Sequence, residues 1–346
     1  MPTASRISGL GIHLPERVRT TDETERALRE RNRELRPPTG LIRRMTGVRS
    51  VHVKPDDWQA SDLAVAAARE ALAESPGPVD LLLFASASQD LVEPATSHIV
   101  AAKLGPELIA PGTPVMDVKN ACNSVVNAMQ VGDALIRSGQ YRRVLVASGE
   151  GPSVAVRWEL RDHAEFLASF PGYTMSDGGA AVVLQATDAV DGMRSDAPGI
   201  VASRFVAASR HWAIGTLPGG GTMRPHDHDA AYFDMDGHGL QKAFLELGPE
   251  PVLGFLDDER VTWGHVDLVA IHQVASPYLP PIFERLGVPA DRTLITVEEH
   301  GNLASATLPL QLKLARERGM LRPGSLALLI GLAGGISLGL MLVRWG

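Results

Sequence analysis

The stretch KNACNSVVNAMQVGDALIRSG, residues 119–139, holds the only cysteine of a 346-residue chain. It lies where a β-like run, PVMDV at 114–118, gives way to a helical pattern. A cysteine at a helix start has its thiolate favoured by exposed N–H groups and the helix dipole. That is one way to obtain an attacking sulfur at neutral pH. The competing reading is a small buried side chain. Two further residues bear on the choice. His272 ends the apolar run VDLVAIHQ at 266–273, and Asn302 precedes a second helical pattern. Taken singly, His272 reads as a core histidine bonded to backbone, and Asn302 as a helix cap.

The elements that would position these residues occur twice. Val115 and Cys122 lie seven positions apart, as do Ile295 and Asn302, and Cys122 and Gly139 lie seventeen apart, as do Asn302 and Gly319. Both seventeen-residue segments read as a helix closed by glycine. Each leads to an apolar strand, VLVASGE at 144–150 and LALLIGLAGG at 326–335. Upstream, VDLLLFAS at 79–86 resembles VDLVAIHQ, and each is followed by a helix ending in Leu-Gly, at 104–105 and 286–287. The strands lack polar alternation, which predicts sheets covered on both faces. The division is expected at 1–187 and 188–346. A pseudo-twofold between halves would bring Cys122 and Asn302 toward one another, with His272 close by.

The totals set bounds. A net charge of −7 argues against a nucleic-acid partner, which needs a basic face. One cysteine makes no internal disulfide, and the N-terminus MPTASRISGLGIHLPERV has no long apolar core, so a cytoplasmic protein without signal peptide is expected. Residues 325–343, SLALLIGLAGGISLGLMLV, carry no charge over a length that could span a bilayer. Glycines at 331, 334, 335 and 339 favour a buried β-hairpin instead, so no membrane partner is expected. HDHD at 226–229 has ligand-like spacing but no supporting cluster, and GGG at 219–221 is not a nucleotide loop; no metal site is expected. The order Cys, His, Asn also suits a papain-like protease, but NACNS is not that enzyme's signature, and the doubled strand–helix plan is foreign to it.

Four segments in order, NACNSVVNAMQVGDALIRSGQYRRVLVASGE, AIHQVASPYLPPIFERLGV, HGNLASATLPLQL and GLAGGISLGLMLVRW, resemble the ketoacyl synthase III family of the thiolase superfamily. RRMTGVRSVHV at 43–53 and DGGAAVVL at 177–184 extend the resemblance to nearly the whole chain. It implies an α/β fold of five layers, α-β-α-β-α, built from two pseudo-equivalent halves. It also implies a homodimer, with a heterodimer as the variant, and acyl-thioester chemistry without metal or redox cofactor. Coenzyme A or phosphopantetheine thioesters, the latter on acyl carrier protein, are then the substrates. By resemblance Cys122 takes the acyl group, while His272 and Asn302 hydrogen-bond the second thioester as it becomes an enolate. The backbone N–H groups of Cys122 and Gly334 form the oxyanion hole, and Arg43, Arg44 and Ala275 line the substrate path.

Some positions depart from the family pattern. Ala275 stands where an asparagine would touch the pantetheine arm, and Leu41 where a tryptophan would stack on adenine. A carrier-protein thioester, which has no adenine, is then the natural alternative donor. Glu93, in DLVEPATSHIVAAKLG, falls on the segment that crosses the dimer; the branch that joins two acyl chains head to head has a glutamate in a similar context, there an α-proton base. The competing reading is a solvated loop carboxylate. Decarboxylative condensation is the leading expectation. Acyl transfer to another carrier or a hydroxyl, and a non-catalytic partner subunit, are the alternatives.

Overall fold

The structure, a computed structural model, describes residues 4–35, 37–187 and 197–346. The expected division at 187/188 falls against 188–196, outside the described residues. In chain order the first part contains β1 (Ala4–His13), β2 (Val18–Thr20), α1 (Thr21–Arg31), α2 (Leu41–Thr46), β3 (Ser50–His52) and α3 (Ala60–Glu74). There follow β4 (Leu81–Ala85), α4 (Thr96–Leu104), β5 (Val115–Val118), α5 (Ser124–Arg137), β6 (Arg143–Glu150), α6 (His163–Ser169) and β7 (Gly178–Thr187). The remainder holds β8 (Gly199–Ala207), β9 (Gly215–Thr216), β10 (Asp234–Met235), α7 (Gly237–Leu247), α8 (Glu250–Asp258) and β11 (Leu268–Ile271). It closes with α9 (Leu279–Leu286), α10 (Val297–His300), α11 (Thr307–Glu317), β12 (Leu326–Ala333) and β13 (Ser337–Arg344).

Two sheets carry the fold. The first has the order β1-β7-β6-β4-β5 and the second β8-β13-β12-β11. Pairing directions match position by position: β4 runs parallel to β6 as β11 does to β12, and β6 is antiparallel to β7 as β12 is to β13. Even the edge has a counterpart. β5 lies parallel to β4, and Thr293 makes an isolated parallel bridge to Val269 of β11. The duplication read from spacing is therefore a duplication of topology.

Alternation within the apolar strands builds the layers. Leu81, Leu83 and Ala85 of β4 face a core shared with α5, α11 and the second sheet, while Leu82 and Phe84 face the cluster formed with α3 and α4. In β11, Leu268 and Ala270 join the shared core, and Val269 and Ile271 pack outward with α8 and α9. The order is thus α3/α4, sheet, α5/α11, sheet, α8/α9: the five layers expected. Each aliphatic side chain so buried stabilises the fold by roughly 1.5–3 kcal/mol. Gly149 of β6 lets α3 lie close, since a Cβ there would strike the Ala60 carbonyl oxygen. The uncharged segment 325–343 forms β12, a tight turn and β13, the hairpin expected from its glycines. Among the described residues no helix is long and apolar enough to cross a membrane.

Candidate active site

Between β5 and α5 the chain turns sharply. Ala121 is held at φ 45°, a left-handed conformation that costs a non-glycine residue about 1–3 kcal/mol. The turn is locked from within. The Asn123 N–H donates to the Asn120 carbonyl at 2.9 Å, the Ser124 hydroxyl donates to the Ala121 carbonyl at 2.7 Å, and the Asn120 N–H donates to the Ser124 hydroxyl at 2.9 Å. Cys122 is half-buried and lies two residues before α5 begins at Ser124. The expectation of a thiolate stabilised by the helix start is corrected here. Burial pushes the Cys122 thiol up to about 12, and the charge of Glu150 pushes the same way; only its own backbone N–H works against them. Both effects favour the thiol over the thiolate.

The second half repeats the turn. Gly301, the counterpart of Ala121, has φ 67°. The Asn302 N–H donates to the Thr174 carbonyl at 2.8 Å, and its carbonyl accepts from Ser176 N–H at 2.9 Å. Its side-chain oxygen accepts from Ala304 N–H at 2.9 Å, so the carboxamide presents its NH₂ end as a donor. Asn302 does not open a helix directly, as its spacing predicts. Ala304 at φ 47° begins a 3-10 turn, and α11 starts only at Thr307, which keeps Pro309 in its first turn.

His272 follows β11, its N–H donating to the Ile330 carbonyl of β12 at 2.8 Å. It is 4% exposed, and both ring nitrogens are buried without a hydrogen-bond partner among the described residues. Burial lowers its pKa to about 4, so it is neutral near pH 7. The core-histidine reading requires a backbone partner for the ring, and among the described residues there is none. Gln273 fixes the loop: its amide donates to the Leu294 carbonyl at 2.6 Å, and its oxygen accepts from Thr296 and Val297 N–H at 2.9 and 3.1 Å. Gln311 of α11 bonds both backbone groups of Ile271, at 3.0 and 2.8 Å. The strand before His272 and the helix after Asn302 are therefore tied together.

Immediate neighbours tie the Cys122 turn to both. Asn123 donates to the Ser337 carbonyl at 3.1 Å and hydroxyl at 2.9 Å. Gly331, next to the residue that bonds His272, leaves room for the Asn123 side-chain oxygen, which a Cβ would strike. Ser305, three residues after Asn302, donates to Glu150, whose field reaches Cys122. Gly334 sits half-buried in the β12–β13 turn, three residues before Ser337.

The remaining candidates lie outside these contacts. Ala275 is buried, and Gly47, just after α2, lies against Ser276 beside it. Leu41 is half-buried on α2, while Arg43 and Arg44 of the same helix are exposed. Glu93 is exposed on the loop before α4, beside exposed Leu91 and Val92. Asp227 of HDHD caps its own short turn and pairs with Arg224. Among the described residues no group of three or more His, Cys, Asp or Glu could hold a metal ion. Sequence reasoning did not single out Glu150. Its signal was a carboxylate at the end of a fully apolar strand, VLVASGE.

Comparison with known proteins identifies the family. The sequence model of 3-Oxoacyl-[acyl-carrier-protein (ACP)] synthase III matches residues 116–197, and that of its C terminal matches 256–345. Beta-ketoacyl-[acyl-carrier-protein] synthase III of Cereibacter sphaeroides (strain ATCC 17025 / ATH 2.4.3) is 30% identical over 342 residues, 98% of each protein. The enzyme of the same name from Neisseria gonorrhoeae (strain FA 1090) is 28% identical, with 99% of each covered. Among solved structures, Xanthomonas campestris OleA with bound lauric acid and lauroyl-CoA superposes with a TM-score of 0.87 at 24% identity, covering 99% of both chains. FabH of Xanthomonas oryzae pv. oryzae gives 0.87 at 24% identity over the full length of both. These structural likenesses show the shared fold. A turn-borne cysteine, a buried unbonded histidine and this end-to-end sequence match lead to one conclusion: the chain belongs to the beta-ketoacyl-[acyl-carrier-protein] synthase III family of acyl-condensing enzymes.

Proposed function

We propose that the chain condenses acyl thioesters in two steps on Cys122. The thiol attacks the carbonyl carbon of an acyl thioester; the bond to the pantetheine sulfur breaks, and the departing thiolate takes up the proton that Cys122 gives up. Backbone N–H groups of Cys122 and Gly334 steady the oxyanion. A malonyl thioester then loses carbon dioxide, and the resulting enolate oxygen accepts hydrogen bonds from His272 and Asn302. Its carbon attacks the acyl-Cys122 carbonyl, the sulfur leaves and takes a proton from water, and a β-ketoacyl thioester departs. Fixed donors of this kind matter because charge develops on the thioester oxygen in the transition state; losing one typically costs about 10²–10³ in rate.

The observation that carries the reading is His272. It is a buried, neutral imidazole with no hydrogen-bond partner among the described residues, the state needed to donate to an enolate rather than pair with a carboxylate. A neutral His272, on a strand that Gln311 ties to the helix after Asn302, favours carbon–carbon bond formation over plain acyl transfer. Exposed Arg43 and Arg44, on the helix whose end touches the Ala275 loop, suit the phosphate of a pantetheine arm. Leu41 and Ala275 favour a carrier-protein thioester over coenzyme A. The homodimer belongs to the same reading, supported by the open edge of the first sheet at β5. Intact-protein mass spectrometry after incubation with a panel of acyl thioesters tests the nucleophile. The wild type should gain one acyl mass and Cys122→Ala none; an acyl adduct retained by Cys122→Ala would remove Cys122 from the mechanism.

A further inference from the structure

Glu150 ends β6 at 1% exposure, and its carboxylate gathers donors from both halves of the molecule. From the first half, Oε1 accepts from Ala87 N–H at 3.0 Å, and Oε2 accepts from Ser88 N–H at 3.3 Å and the Ser88 hydroxyl at 3.2 Å. From the second, Oε1 accepts from the Ser305 hydroxyl at 2.5 Å and from Ser305 N–H at 3.4 Å. Ser305 is seated further against Ser148, its hydroxyl 2.9 Å from that of Ser148. Three of these donors are backbone N–H groups, which can only donate and so favour the ionised carboxylate, whereas burial, the larger effect, pushes the Glu150 pKa up. An anion buried this deeply is costly unless such donors surround it. A neutral side chain could have packed here, and the decarboxylation chemistry proposed above gives Glu150 no role.

We propose that Glu150 is a positioning residue, locking the Asn302 turn of the second half onto the Cys122 half and setting the geometry of the condensing step. The inference rests on the proposed two-step reaction. Ser305 lies in the 3-10 turn whose first residue, Ala304, holds the Asn302 carboxamide oxygen. Pulling Ser305 toward β6 therefore sets where the Asn302 NH₂ points. The carboxylate has a second, measurable effect: its field opposes ionisation of the Cys122 thiol. Lys54, 7% exposed, runs past the end of β6, its stem 3.6 Å from where a Cβ on Gly151 would sit, and its ammonium donates to the Pro55 carbonyl at 3.4 Å.

Glu150→Gln keeps the shape and one accepting oxygen while removing the charge; Ser305→Ala keeps the charge and removes the strongest link. Each is compared with wild type in two assays. The first follows acylation of Cys122 and the subsequent condensation in separate single turnovers. Both variants should acylate no more slowly than wild type and condense about 10²-fold more slowly, the loss expected of a misplaced group. The second follows alkylation of Cys122 by iodoacetamide against pH. Glu150→Gln should move the midpoint down by about one pH unit, the effect of removing a nearby like charge, and Ser305→Ala should not. Equal loss of both steps, or unimpaired condensation in both variants, overturns the proposal. If wild-type Cys122 is never acylated, the two-step reading fails; the alkylation profile then decides for Glu150, an unmoved midpoint overturning the influence of its charge on the sulfur. Should Glu150→Gln not fold, the two assays on Ser305→Ala decide alone.

Discussion

His272 is a buried imidazole, 4% exposed, and its titration follows from that burial. Its folded pKa of about 4 lies below the ordinary 6.5, because burial disfavours the imidazolium. The sign follows directly. Below pH 6.5 the unfolded chain binds a proton that the folded chain refuses, so stability is complete above about 6.5 and falls toward pH 4. The full difference is on the order of 3 kcal/mol. His272→Asn, which cannot be charged, should show a flatter decline in its urea midpoint between pH 7 and 4.5; parallel declines for the two proteins would show that His272 is not held neutral. The type and position of this histidine were legible from its place after an apolar strand. The thiol state of Cys122 was not: it depends on burial by distant segments and on Glu150, 28 residues along the chain.

Strand and helix positions were more legible, because local signals agree with the tertiary outcome. Gly139 and Gly319 close α5 and α11 with φ of 77° and 72°, the left-handed stop that glycine takes without strain. Uniformly apolar strands announced burial on both faces. β5 is the exception. It is the edge of the first sheet, and Met116 on it is 41% exposed. An unpaired edge of this kind invites a second chain, and a homodimer joined along β5 is the arrangement we propose. The wild type should sediment as a dimer and Met116→Lys as a monomer; a wild-type monomer, or an undisturbed Met116→Lys dimer, would rule out that interface. The late start of α11 escaped sequence reading because it follows from backbone dihedrals at Ala304, where alanine gives no warning of a positive φ.

At the scale of the whole molecule, the repeat of 180 residues foretold the arrangement of the halves. Matched sheets, matched pairing directions and paired positive-φ turns at Ala121 and Gly301 are its physical content. What a single sequence could not reveal is the fastening between halves. The Asn123–Ser337 and Glu150–Ser305 bonds join residues 214 and 155 apart, and neither pair has a local pattern. These bonds serve the central claim, that the sulfur, imidazole and carboxamide act together on two thioesters. The direct test starts from enzyme already acylated on Cys122 and adds malonyl-carrier labelled in its free carboxyl. Wild type should release one labelled carbon dioxide per acyl-enzyme, while His272→Ala and Asn302→Ala keep the acyl group and release it at least about 10²-fold more slowly. Release at the wild-type rate from either variant, or none from wild type, would contradict the account.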